Sequence, residues 1–106
     1  MIIIAVCYTV KPGMREEVMK IAGPSIEASR KEKGNIQYAH YPSMENEQDM
    51  FVFEVWESKA DVEAHIQAPH YLKFANARKP MLVEGSYRYT MYEGEPIEYG
   101  KRIATW

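Results

Sequence analysis

The chain has a single cysteine, Cys7, so it can form no intrachain disulfide, and a reducing, cytoplasmic location is expected. It lacks any apolar run near the ~20 residues that a membrane span requires. It also lacks an excess of positive charge. Thirteen Lys and Arg against fifteen Asp and Glu leave a formal net charge of −2, without the clustered cations of a nucleic-acid or anionic-membrane surface. Neither a glycine-rich phosphate loop nor Gly-x-Ser-x-Gly occurs, which disfavours a nucleotide cofactor and a serine nucleophile. Residues 1–92 contain no repeat, no low-complexity block and no linker. The opening "MIIIAVCYTV" has neither a basic n-region nor a small-residue cleavage site, so it reads as part of the fold. At 106 residues the chain is long enough for one core and too short for two. We expect one domain over residues 1–92 and a tail over 93–106.

The apolar residues are patterned for four strands and three helices. Residues 2–10, "IIIAVCYTV", form an uninterrupted β-branched run, as in a strand buried on both faces. Met14, Val18, Ile21, Ala22 and Ile26 then make one stripe of a helix over residues 14–33, with a kink or break expected at Gly23-Pro24 and a stop at Gly34. Residues 35–41 and 49–57 read as strands. Ser58, with Asp61 three residues on, opens a second helix in a capping-box-like arrangement. Pro69 ends that helix near Gln67 and starts a third running toward Leu82. Residues 85–93 form the last strand. Strand, helix, strand, strand, helix, strand is the order of the split βαβ, ferredoxin-like fold of the α+β class. Right-handed crossovers place the helices on one face of its four-stranded antiparallel sheet. The other face, with Phe51, Phe53 and Val55 or the alternate set Met50, Val52 and Trp56, is too apolar for water, so a homodimer is expected.

The polar candidates are few. His65 and His70, in "EAHIQAPHY", lie five apart with a proline between them, which is not a shared helical face. Zinc sites use three or four protein ligands, and no third Cys, His or carboxylate stands at a recognisable spacing, so no metal is expected. Both rings could instead rim a cavity and trade protons near neutral pH, with Asp61 orienting His65 one turn away. The plainer alternative is that His65 pairs with Asp61 while His70 caps a turn in water. Asn35 follows Gly34, where Asn is often a turn former. Glu54 interrupts the apolar run "FVFEVW" and must be solvated or paired, because an unpaired buried charge is too costly. Eight tyrosines suit wet-edged pockets and interfaces.

The segments "KEKGNIQY", "FVFEVWESKADVEAH" and "APHYLKF" resemble the antibiotic biosynthesis monooxygenase family, dimeric ferredoxin-like proteins (dimeric α/β barrels) that include small quinol monooxygenases. The likeness runs through residues 1–92, on Gly34-Asn35, on Phe53, Glu54 and Trp56, on His65, and on Pro69, His70 and Tyr71. It implies a cofactor-independent monooxygenase taking a small phenolic or quinol-type substrate and oxygen. In that reading Asn35 holds the substrate oxygen, Trp56 walls its ring and His65 takes its proton, while His70, Tyr71 and Glu54 bind substrate. Haem-degrading relatives carry a ligating histidine in the later helix. That position aligns near Ala75 here, and neither Cys7 nor Tyr8 supplies their early-strand asparagine, so haem is not expected. Two other readings stay open: a non-oxygenase enzyme of the same fold acting on a small carbonyl or signalling molecule, and a catalytically silent dimeric binding protein.

Overall fold

The computed structural model describes residues 1–95. Its elements follow the expected order: β1 (Ile2–Thr9), α1 (Arg15–Arg30), β2 (Asn35–Pro42), β3 (Asp49–Trp56), α2 (Lys59–Ile66), α3 (Pro69–Arg78) and β4 (Arg88–Glu93). The sheet order is β2-β3-β1-β4, with every neighbouring pair antiparallel, which is the ferredoxin-like arrangement. Because side chains alternate along a strand, the register puts Ile4, Glu54 and Met91 in one row and Val6, Val52 and Tyr89 in the next, on a common face. That face carries the core, where Ile2, Ile4, Val6 and Tyr8 of β1 pack with Val52 and Trp56 of β3, Val18 of α1 and Val62 of α2.

Several expectations are corrected. β1 is buried on one face only within this chain, and Cys7 is exposed on the other. α1 runs through Gly23-Pro24 as a single helix. Two features explain the tolerance. Gly23 has no Cβ to meet the proline ring, which is what usually bars helical geometry before proline. Lys20, whose carbonyl loses its partner, is exposed to water. α3 stops at Arg78 instead of reaching Leu82, and Pro80 sits in a 3-10 turn over Lys79–Met81. β4 begins at Arg88 and is exposed along its length as an edge strand. Of the expected tail, residues 96–106 lie outside the described residues; at its start the chain's N-terminal amine donates to Gly94 O at 2.9 Å.

The turn from α1 into β2 sets one side of the candidate site, and Gly34 shapes it. Its φ of +81° lies in the left-handed region, and an added Cβ would overlap the Asp61 carboxylate of α2. Gly85 has nearly the same dihedral, +78°, with nothing within 4 Å of the corresponding point. Gly85→Ala is therefore expected to cost the backbone penalty alone, about 1–2 kcal/mol. Gly34→Ala should cost clearly more, and urea unfolding of both variants measures the difference. Equal losses would show that the Asp61 contact relaxes freely.

Candidate active site

α2 begins where its sequence says it should. Ser58 accepts from Asp61 N–H at 3.3 Å and its hydroxyl donates to Asp61 Oδ2 at 2.9 Å. This cap satisfies an otherwise orphan helix donor. It also occupies Asp61, so the expected Asp61–His65 pairing does not form among the hydrogen bonds of the structure. Pro69 opens α3 after a two-residue break, and Ala68 N–H donates to His65 O at 3.0 Å across it. The break swings His70, the second residue of α3, toward the α1–β2 turn.

There both histidines meet one carboxylate. His65 Nδ1 stands 2.9 Å from Glu32 Oε1, and His70 Nε2 contacts the same oxygen. An ionised carboxylate can only accept, so it assigns the proton of each of these nitrogens. His65 is 1% exposed, yet its Nε2 has no hydrogen-bond partner among the described residues. That nitrogen lies 3.9 Å from Glu54 Oε1, and the same oxygen accepts the Trp56 indole N–H at 2.9 Å. Glu54 is thus buried with a partner, one of the two states its desolvation cost allows. Burial pushes its carboxyl above the usual carboxylate range, with the Trp56 N–H and His65 opposing the rise.

His65 and Glu54 line a cavity of about 310 Å³. Its floor is Ile4 and Val6 of β1, and Tyr89 and Met91 of β4 form one wall. Tyr71 and Tyr87 complete the polar lining, and Tyr71 packs on His65 with ring centroids 4.7 Å apart. Burial holds the Tyr87 phenol neutral by pushing it up to about 12. The volume stands at the small end of the ~300–1,000 Å³ common for ligand pockets.

The structure therefore brings Glu54, His65 and Tyr71 to one cavity. Trp56 is fully buried behind them, 4.8 Å from the His65 ring, and reaches the cavity through Glu54 instead of walling it. His70 is joined to His65 through Glu32 and does not line the cavity. Asn35 lies elsewhere. Its amide donates to Gln37 O at 3.1 Å and Val55 O at 3.5 Å, bracing the irregular start of β2. Sequence reasoning missed Glu32, an ordinary charge in "KEKGN", because its partners stand 33 and 38 residues away. It also missed Tyr87, Tyr89 and the buried Arg78, whose guanidinium stacks over Tyr8 and Phe74 at 4.7 and 4.6 Å. An alternation count on residues 85–93 would have placed Tyr87 and Tyr89 on one face.

The profile of the antibiotic biosynthesis monooxygenase family matches residues 1–77. An uncharacterized protein of Synechocystis sp. is 31% identical over 83 residues, which are 78% of this chain and 56% of that protein; the matched segment thus spans about half of that relative. The candidate monooxygenase YcnE of Bacillus subtilis is 30% identical over 82 residues, 77% of this chain and 86% of its own length. Among solved structures, a candidate antibiotic biosynthesis monooxygenase from Nitrosomonas europaea superposes with a TM-score of 0.84 at 22% identity, covering 89% of this chain and 98% of its own. A conserved Methanosarcina mazei protein gives 0.82 at 24% identity, with 89% and 92% covered. At these identities the superpositions bear on the fold.

His40, beside Tyr38 and Phe74, has both ring nitrogens buried without partners among the described residues. Burial pushes it down to about 4 from 6.5, with Arg78, Arg30 and His65 adding to the shift. The unfolded chain binds this proton below pH 6.5 while the folded chain refuses it until about 4. Stability is therefore full above 6.5 and falls between 6.5 and 4, by up to about 3 kcal/mol. Unfolding free energies across that window should show this slope in the parent chain and a flatter one in His40→Phe. An unchanged slope would remove His40 as its source.

Proposed function

Because the chain belongs to the antibiotic biosynthesis monooxygenase family, we propose that it is a cofactor-independent monooxygenase of the cytoplasm, acting on a small phenolic or quinol-type molecule with molecular oxygen. The observation that carries this reading is an apolar, tyrosine-lined cavity with one buried histidine in its lining, whose Nε2 has no hydrogen-bond partner among the described residues. Glu32 holds the proton on His65 Nδ1, so Nε2 is the free lone pair and can accept the substrate's hydroxyl proton. The resulting oxyanion is electron-rich enough to reduce oxygen itself. One oxygen atom enters the substrate, the other leaves as water with two of its hydrogens, and the substrate supplies all the electrons. The tyrosine hydroxyls of 71 and 87 are the available donors to the anion, and the apolar floor excludes water. Trp56 acts in this scheme by holding Glu54, and Asn35 by fixing the start of β2.

Oxygen uptake by chelator-treated protein, screened over phenols, quinols and anthrones, tests the reading. We expect turnover that incorporates one atom of labelled oxygen, and a loss of about 10²–10⁴ in rate for His65→Ala and for the better-filling His65→Gln. Compounds that bind without turnover would leave a binding protein. Normal turnover by folded His65 variants would remove the proposed acceptor.

The second face of the sheet supports a homodimer. Ile3, Ala5, Cys7, Phe51 and Phe53 lie on it, with Tyr41 and Tyr92 at its flanks, 48% and 58% exposed. The β-branched run of β1 is apolar on both sides, and one helical layer covers only one of them. A second copy is the partner of matching chemistry. Sedimentation at micromolar concentration should give twice the chain mass; a monomer unchanged by dilution or concentration would contradict it.

A further inference from the structure

We propose that Glu32, His65 and His70 form a binding site for a divalent transition-metal ion of the zinc class, on the side of the His65 ring away from the cavity. Counting by sequence spacing finds two donors here; the fold supplies a third. Glu32 comes from the turn after α1, His65 from α2 and His70 from α3, and their donor atoms all lie within 4.8 Å of one another. Ligands about 2.0–2.1 Å from such an ion stand about 2.9 Å apart at right angles and about 3.3 Å apart in a tetrahedron. His65 Nδ1 and Glu32 Oε1 already stand 2.9 Å apart, whereas His70 Nε2, in direct contact with the same oxygen, would draw back by a few tenths of an ångström to admit the ion. Two imidazoles and a carboxylate are a donor set that zinc-class ions take, with the remaining positions left to water. Side-chain exposures of 28% for His70 and 15% for Glu32 give an ion a route from solvent that does not pass through the cavity.

A second observation comes from the opposite edge of the ring. Coordination through Nδ1 places the proton of a neutral imidazole on Nε2. That is the atom left without a partner, and 3.9 Å from it waits the Glu54 carboxylate, fixed by Trp56. A metal-bound histidine commonly gives its other N–H to a carboxylate, which sets the tautomer and the ring's orientation. Metal, His65, Glu54 and Trp56 are thus laid out in that sequence. The ion and the acceptor role exclude each other, since a proton on Nε2 leaves no lone pair toward the cavity. Occupancy would therefore switch the proposed oxygenation off. That consequence rests on the oxygenase reading; the binding does not.

The test is titration of the untagged, chelator-stripped full chain with Co²⁺, followed by its visible absorption, and with Zn²⁺ by competition against a chromophoric chelator. We expect one equivalent per chain, saturating at micromolar concentration or below. His70→Ala and Glu32→Gln should each weaken binding by about 100-fold or more, and Glu54→Gln by about 10-fold, in line with the 10–100-fold losses usual for outer-sphere partners. Glu63→Gln, at an exposed position of α2, should bind as the parent does. Circular dichroism checks that each variant is folded. No saturable absorption up to ~1 mM, well beyond the range of a built zinc-class site, would overturn the proposal, as would unchanged affinity in folded His70→Ala. Because neither readout needs a substrate, failure here leaves the oxygenase reading standing, and failure of that reading leaves this one.

Discussion

A buried imidazole needs partners for two nitrogens, and His65, inside the layer between sheet and helices, has among the described residues a firm partner for only one of them. Leaving a buried polar atom unpaired costs about 1–3 kcal/mol. The surrounding structure is arranged so that this cost is met at one place. Glu32 grips Nδ1, Trp56 and Tyr71 pack the ring faces at 4.8 and 4.7 Å, and Glu54 is held just beyond hydrogen-bond range of Nε2. The unpaired nitrogen belongs to a ring that lines the cavity, and in the proposed chemistry a substrate hydroxyl completes it there. Unsatisfied polar atoms in otherwise well-packed proteins tend to mark such places.

The fold supplies this arrangement through local rules acting at a distance. The Ser58 cap starts α2 so that its face delivers Val62 and His65 inward, and Pro69 forces the break that turns His70 back toward the same carboxylate. Gly34, free of a Cβ, lets the α1–β2 turn approach α2 closely enough for Glu32 to reach both rings. β3 contributes Glu54 and Trp56 on one face because two residues is the strand's own repeat. Each piece is short-range; their meeting point is set by the sheet order.

This explains what could be read in the chain. The element order, the cap at Ser58 and the proline start of α3 rest on local chemistry, and each is present in the structure. The α1 stripe holds in part: Val18 and Ala22 are buried, Met14, Ile21 and Ile26 are half-buried, and Ser25 and Ser29 complete the buried line. The errors arose where a nearby residue was credited with a distant one's job. Asp61 was expected beside His65 by helical spacing, but its own cap engages it, and Glu32 from another element takes the place. Asn35 was expected at the cavity and instead braces a strand irregularity that no spacing rule foresees. At Gly23-Pro24, where a kink or a break was expected, the helix continues unbroken, and glycine there removes the Cβ part of the clash with the proline ring.

The proposed chemistry depends on which nitrogen of His65 carries the proton when no ion is bound. Side-chain ¹⁵N NMR of the chelator-treated protein, with His65 assigned by substitution, reads this directly. We expect a proton on Nδ1, hydrogen-bonded to Glu32, and an Nε2 whose resonance moves when an aromatic ligand enters the cavity. A neutral ring protonated on Nε2 alone, with Nδ1 bare toward Glu32, would contradict that chemistry.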